Sequence, residues 1–257
     1  MSFVGLLHRS TVLRQLARRI CRGLTIRQRF HGGRIYLDAV DHSWAWTGAI
    51  RYQTFDPELQ ECLLRLSHRH AAMIDIGANI GAMSLSVLLR NPVIRIVAVE
   101  PNPRAASLLQ RSLDYNRLQA RARLVHAACT PSGATTRFDF SGSVAGHISV
   151  DAPTEVAGTT VSALFDLLPA AESPLVKVDV EGFETQLLGE LIKRCQERRA
   201  TLVIELHPLG WNAIGDPEAN FAALHASGAD IRALDGSPLV GAAATSFMQV
   251  VATWERS

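Results

Sequence analysis

The chain has 257 residues, 47% of them hydrophobic, enough for one full α/β core, and no apolar run approaches the ~18 residues of a membrane span. Its net charge of +2 hides an asymmetry: residues 1–37 carry eight Arg and no acid, while the remainder holds 18 basic and 24 acidic groups. A body of net charge −6 lacks the basic footprint of a nucleic-acid binder, and the four scattered cysteines, without CxxC or His pairing, argue against a structural zinc site and read as free thiols in a reducing compartment.

Residues 4–22 (VGLLHRSTVLRQLARRICR) interleave apolar and Arg positions at near-helical spacing. The pattern suits a helix packing its Leu face on the domain, a helix lying on a membrane surface, or an Arg-rich, acid-free transit peptide. Residues 30–55 read as short strands and turns carrying Tyr36, Trp44, Trp46 and Tyr52, either a lid over an acceptor or a segment packed on a sheet edge. Together residues 1–55 form an N-terminal basic and aromatic segment, and residues 56–257 the main domain. Asp56 followed by Pro57 predicts a capped helix to about residue 68.

Residues 72–84 (AMIDIGANIGAMS) organise the rest of the chain. A short apolar run turns at Gly77 and resumes at helical spacing after Gly81, the strand–turn–helix opening of a nucleotide-binding βαβ unit. Gly77 permits a sharp turn, Gly81 a close packing of helix on strand, and Asn79 tolerates unusual backbone angles. Neither GxGxxG nor GxxxxGK[ST] is present. An acid, Asp75, beside the turn instead suits a cationic ligand such as the amino or sulfonium group of S-adenosylmethionine. Glu100 closes the apolar run 94–99, where a carboxylate can accept both ribose hydroxyls of a nucleoside.

Further along, 104–116 is an amphipathic crossover helix and 122–128 a third strand. The Gly/Ser-rich stretch 131–158 is long enough to be functional or to hold small strands of its own; His147 within it reads as a surface residue. After a helix at 159–168, VKVDVEG (176–182) places Lys177 and Asp179 on one face of a strand, and TLVIELHP (201–208) does the same for Glu205 and His207. Both runs stop at the rim facing the ligand crevice of a parallel sheet. A helix at 220–228, a strand and turn at 230–236 and a final strand at 246–254 predict an antiparallel hairpin at one sheet edge.

Taken together, IDIGANIGAMS (74–84), VAVEPNP (97–103), the helix ending in Asn116, VKVDVEGFE (176–184) and VIELHP (203–208) resemble the FkbM family of S-adenosylmethionine-dependent methyltransferases, over roughly residues 56–207. The resemblance implies a Rossmann-like class I methyltransferase sheet, mostly parallel with a C-terminal antiparallel hairpin, and O-methylation of a hydroxyl on a sugar, glycan or secondary metabolite. Ser112 departs from the Asn often found there, and AACTPSG (127–133) lacks the acid often seen after the third strand.

The expected cofactor cradle is Asp75, Gly77, Ala78, Asn79 and Gly81, with Glu100 on the ribose and Pro101 and Asn102 shaping the adenine side. The expected catalytic group is Asp179, Glu205, His207 and Lys177. Asp179 has the best placement, and His207 the ordinary pKa nearest neutrality. Glu181 and Glu184 read equally well as helix-start acids. No metal site is assigned, although Asp179, Glu205 and His207 could instead hold a hard divalent ion. The expected partner is a small-molecule or glycan acceptor, not nucleic acid. The expected location is cytoplasmic, with residues 4–22 as a candidate peripheral membrane contact. A catalytically silent nucleoside-binding module and an NAD-dependent reductase are the competing readings.

Overall fold

The computed structural model describes residues 20–21, 23–42, 52–139, 147–148, 153–207, 216–239 and 247–254. The expectations placed on residues 4–19, on Trp44 and Trp46, and on the side chains of Tyr52 and His147 lie outside the described residues.

The first full elements among the described residues are an antiparallel hairpin, β1 (Thr25–Phe30) and β2 (Gly33–Asp38), with Phe30 opposite Gly33. Its inward face, Phe30, Ile35 and Leu37, has no exposed surface. The sequence pattern places the first strand at residue 30 and misses β1, whose outward Arg27 and Arg29 continue the Arg pattern of the preceding segment and mask its period of two. Helix α1 (Pro57–Ser67) starts where expected, Asp56 accepting the Leu59 N–H at 3.3 Å.

The core then builds as β3 (Ala72–Ile76), α2 (Ala82–Arg90), β4 (Arg95–Val99), α3 (Pro103–Tyr115) and β5 (Ala122–Val125). The expected third strand ends early. After a break at His126, β6 (Ala128–Cys129) leaves the main sheet to pair in parallel with β10 (Gly158–Thr159). The stretch between them does hold small strands: β7 (Thr136–Asp139) pairs antiparallel with both β8 (His147–Ile148) and β9 (Thr154–Val156). Helix α4 is Val161–Phe165, shorter than expected at both ends; Thr160 caps its start, accepting the Ala163 N–H at 3.0 Å. The chain ends with β11 (Leu175–Val178), α5 (Glu184–Arg198), β12 (Thr201–Leu206), α6 (Pro217–Ala226), β13 (Asp230–Arg232) and β14 (Met248–Thr253).

Among the described residues seven strands form the main sheet, in the order β13-β14-β12-β11-β3-β4-β5. Strands β3, β4, β5, β11 and β12 run parallel, and β14 is antiparallel to both β12 and β13. This is the Rossmann-like, mostly parallel sheet expected, with the antiparallel ending expected from the tail. All of β3 is buried, as a strand covered on both faces must be. On one face Leu59, Leu63, Leu85 and Leu109 pack with the hairpin's Phe30 and Leu37; on the other lie Phe165, Leu187, Leu191 and Leu224. Each such side chain contributes about 1.5–3 kcal/mol by leaving water. The chain runs outward from β3 through β4 and β5, then returns to β11 on the opposite side. That reversal opens a crevice at the C-terminal ends of β3 and β11, where open α/β sheets bind ligands.

Candidate active site

Two glycines shape the crevice, for different reasons. Gly77 has φ +82, and a Cβ there would lie 1.7 Å from the carbonyl oxygen of Asp179. The bare backbone thus lets the ends of β3 and β11 close on each other, with the Asp179 N–H donating to the Ile76 carbonyl at 3.0 Å. The N–H groups of Gly77 and Ala78 both donate to the Val99 carbonyl, at 3.0 and 2.9 Å, tying the turn to β4. Gly81, at φ +85, starts α2, and a Cβ there would meet Leu109 at 2.2 Å. Its close approach is therefore to α3, not to the strand as expected.

Glu100, 5% exposed, sits beside this turn. Its Oε2 accepts the N–H of Asn79 at 2.7 Å and its Oε1 that of Asn102 at 2.8 Å. Asn79 takes φ +52 to deliver that bond, and its own Oδ1 accepts the Ile80 N–H at 2.7 Å. A carboxylate has about four lone-pair sites, so two remain for a ligand. Burial pushes the Glu100 carboxyl up to about 7 despite those two bonds. Asn102 caps α3, accepting from Arg104 and Ala105, and the Pro101 carbonyl lies 3.1 Å from Nε2 of His126. As placed, Pro101 and Asn102 hold the loop that fixes Glu100.

Asp75 is wholly buried beneath the turn. Its Oδ2 accepts from Ser84 Oγ at 2.6 Å, and its Oδ1, without a hydrogen-bond donor, lies 3.4 Å from Lys177 Nζ. Lys177 Nζ also donates to the Gly77 carbonyl at 3.0 Å and to Asp179 Oδ2 at 3.3 Å. Burial works against the ammonium, but Asp179, Asp75 and Glu205 outweigh it and hold the lysine above its ordinary value. Lys177 is thus a permanent cation clamping the β3 turn to the end of β11.

The strand-end residues meet as expected: Asp179, Glu205 and His207 each offer a ligand atom, all within 4.8 Å of one another. His207 Nδ1 lies 3.0 Å from Oε1 of Glu184; its Nε2 is 3.7 Å from Glu181 Oε2 and 4.0 Å from both Asp179 Oδ1 and Glu205 Oε2. Burial alone would lower the imidazole, but the bond and charge of Glu184, with Asp179 and Glu181, raise it to about 9. His207 is therefore an imidazolium at neutral pH, which corrects the expectation that its pKa suits a base. The group poised there is Glu205, raised to about 7 by burial and by the charge of Asp179, against the pull of Lys177, Gln249 and His207. Glu181, at φ +56 in the turn before α5, is also raised, first by burial and then by Asp179.

Sequence reasoning undervalues Glu184 and misses Gln249. Glu184 is completely buried and accepts from both Val180 N–H and His207. Gln249 Nε2 donates to Glu205 Oε1 at 2.8 Å and to Asp56 Oδ2 at 2.7 Å, bridging β14 to the start of α1. The signal is present: Gln249 is the one polar residue inside the apolar run 247–252, in register with Glu205.

Asp75, Glu100, Asp179, Glu181, Glu184 and Glu205 thus face two cations, Lys177 and His207. An excess of acid beside a glycine turn, with a half-satisfied carboxylate at the switch point, fits a positively charged nucleoside. It fits a pyrophosphate poorly.

The chain matches the family model described as Methyltransferase FkbM domain over residues 75–234. No curated protein matches it. Among solved structures it is similar to a precorrin-6y C5,15-methyltransferase from Geobacter metallireducens, at 15% identity and TM-score 0.46, covering 80% of this chain and 91% of that one. It is similar also to an O-methyltransferase family protein from Burkholderia thailandensis, at 10% identity and TM-score 0.48, covering 81% of this chain and 58% of that one. A tRNA m1G37 methyltransferase from M. jannaschii matches at 12% identity and TM-score 0.42, covering 89% and 53%. Likeness this distant concerns the fold alone.

Proposed function

The chain belongs to the FkbM methyltransferase family, and from that premise we propose that it transfers the methyl group of S-adenosylmethionine to a hydroxyl of a sugar, glycan or secondary metabolite. The observation that carries the cofactor reading is the Glu100 carboxylate, held at the switch point by the N–H groups of Asn79 and Asn102 with acceptor capacity left for a ribose diol. Asp75, Gly77, Ala78 and Gly81 complete the cradle, Asp75 acting through Lys177. The same reading takes the acceptor to be a small molecule or glycan, supported by the body's net charge of −6. It takes the location to be cytoplasmic, supported by free thiols at Cys62, Cys129 and Cys195.

When bound, the sulfonium supplies a methyl group that its positive charge has already activated. The protein's part is alignment and proton removal. Alignment can supply roughly 7–11 kcal/mol of the barrier, and a placed base about 10²–10⁴-fold in rate. Glu205 takes the hydroxyl proton at Oε2, its carboxyl being near half-ionised at neutral pH. Gln249 orients it through Oε1. Lys177 keeps Asp179 and the turn together, and His207 as imidazolium lies 3.0 Å from Glu184, 3.7 Å from Glu181 and 4.0 Å from Asp179, grouping these carboxylates at the crevice.

The test is formation of S-adenosylhomocysteine by the purified chain with a panel of hydroxylated acceptors. A Glu205→Gln variant should lose about 10²–10⁴-fold in turnover while binding the cofactor as before. A second reading has one observation in its favour, the close grouping of Asp179, Glu205 and His207. A divalent ion held there would polarise the acceptor hydroxyl. Loss of activity in EDTA, restored by Mg²⁺ or Mn²⁺, would select it.

A further inference from the structure

We propose that the outer face of the β1–β2 hairpin, with the flank of α3 beside it and Ile20 and Leu24 at its entrance, is a docking surface for an anionic phospholipid bilayer. In β1, Arg27 and Arg29 alternate outward, and the register sets Arg29 opposite Arg34 and Arg27 opposite Tyr36. Helix α3 extends the patch. Arg27 lies 4.5 Å from the ring centroid of Tyr115, and Arg111 lies 4.6 Å from that of Tyr36 and donates to Thr25 Oγ1 at 2.7 Å. Among the described residues, none of Arg27, Arg29, Arg34 and Arg111 pairs with a carboxylate. The rings set the guanidinium groups side by side without neutralising them, and the nearby Asp114 carboxylate accepts from Gln110 and Gln119 instead.

A second observation selects a lipid surface over another polyanion. Ile20 and Leu24, at the entrance to the hairpin, are 69% and 54% exposed. They continue the apolar positions that alternate with five Arg in residues 4–22. Nucleic acid would pair with the arginines and leave these side chains in water. A bilayer takes both, headgroup phosphates on the guanidinium groups and the aliphatic chains at the acyl boundary.

The attachment also has a place in the fold. Arg104 Nη2 donates to the carbonyls of Gly23 and Leu24 at 3.1 and 3.3 Å, and Arg104 pairs with Asp38 at 2.7 Å. Arg104 lies in the first turn of α3, just after Asn102, so the segment joins the fold at the rim that carries Glu100. A bilayer held there lies beside the crevice. If the chain methylates as proposed above, its acceptor can be drawn from the membrane surface.

The experiment is co-sedimentation of the full chain with vesicles of phosphatidylcholine alone and of phosphatidylcholine with phosphatidylglycerol. The anionic vesicles should bind it and the neutral ones should not, with binding falling as salt rises. Replacing Arg27, Arg29 and Arg34 together by Glu should weaken binding about a hundredfold or more. Ile20→Ser with Leu24→Ser should weaken it separately, at unchanged charge. An unchanged melting temperature checks that each variant is folded, and Arg29→Glu alone gives a milder step of the same sign. Undiminished binding by the triple variant, equal binding to both vesicles, or binding to RNA but not to anionic vesicles would overturn the proposal. None of these readings depends on methyl transfer, so failure of the methyltransferase assignment would leave them standing.

Discussion

Nδ1 of His207 lies 3.0 Å from Oε1 of Glu184, a carboxylate with no exposed surface whose second oxygen has no hydrogen-bond partner. Glu184 stands in the first turn of α5, where the helix terminus favours an anion, and its Oε1 also accepts the Val180 N–H at 3.0 Å. The imidazolium is what makes so buried a charge tolerable. The pair fixes the ring so that Nε2 faces Asp179, Glu181 and Glu205.

His207→Ala should therefore destabilise the fold by roughly 3–5 kcal/mol, because it strands a buried charge. Adding Glu184→Gln to it should restore part of the loss. The sign of the pH effect comes from the raised imidazole. Its folded pKa of about 9 exceeds the ordinary 6.5, so its stabilisation is fully present below about 6.5 and is lost as pH rises through about 9. Urea titrations of the parent and both variants across that window measure this: the fall should appear in the parent and be absent from the variants, which lack the imidazole.

Glu205 predicts a slope of the same sign in a lower pH window. A carboxyl whose folded pKa of about 7 exceeds the ordinary 4.5 binds a proton that the unfolded chain has released, so it costs stability as pH climbs from 4.5 past 7. Glu205→Gln removes that cost. Its melting temperature should exceed the parent's by a few degrees at about pH 8 and match it near pH 5, while turnover falls. A variant both less stable and less active at pH 8 would make Glu205 a structural residue.

Gly77→Ala should be among the most damaging small substitutions in the chain. It places a Cβ on the Asp179 carbonyl oxygen at a φ of +82. The clash is with backbone, so β3 and β11 must separate or the turn must re-form. A loss of roughly 2–4 kcal/mol in unfolding free energy is expected, with turnover falling further because Asp179 moves. Wild-type stability in this variant would mean that the two strand ends are not held together as described.

The sheet was legible because β3, β4, β11 and β12 are apolar runs bounded by Gly, Pro or charge, and a strand buried on both faces leaves that signature. The capped helix start at Asp56 was legible because it arises from local chemistry alone. Strand β1 was not legible, since its outward positions repeat the Arg pattern before it. The departure of Ala128 and Cys129 from the main sheet was not either, because pairing with Gly158 and Thr159 is a long-range choice with no local mark. In the site, alternation placed Lys177 with Asp179 and Glu205 with His207. The protonation of His207 needed the surrounding carboxylates, which only the fold brings together.

Whether Glu100 is the ribose acceptor is the central question, and calorimetric titration with S-adenosylmethionine and S-adenosylhomocysteine of the parent chain and Glu100→Gln tests it most directly. Binding by the parent should weaken below about pH 7, as the carboxyl takes up its proton, by up to about tenfold per pH unit. Glu100→Gln should lose at least about tenfold in affinity at neutral pH, as removal of a charge-assisted bond requires. Equal affinity in parent and variant would contradict the ribose assignment, and binding of NADH with neither nucleoside would contradict the cofactor reading as a whole.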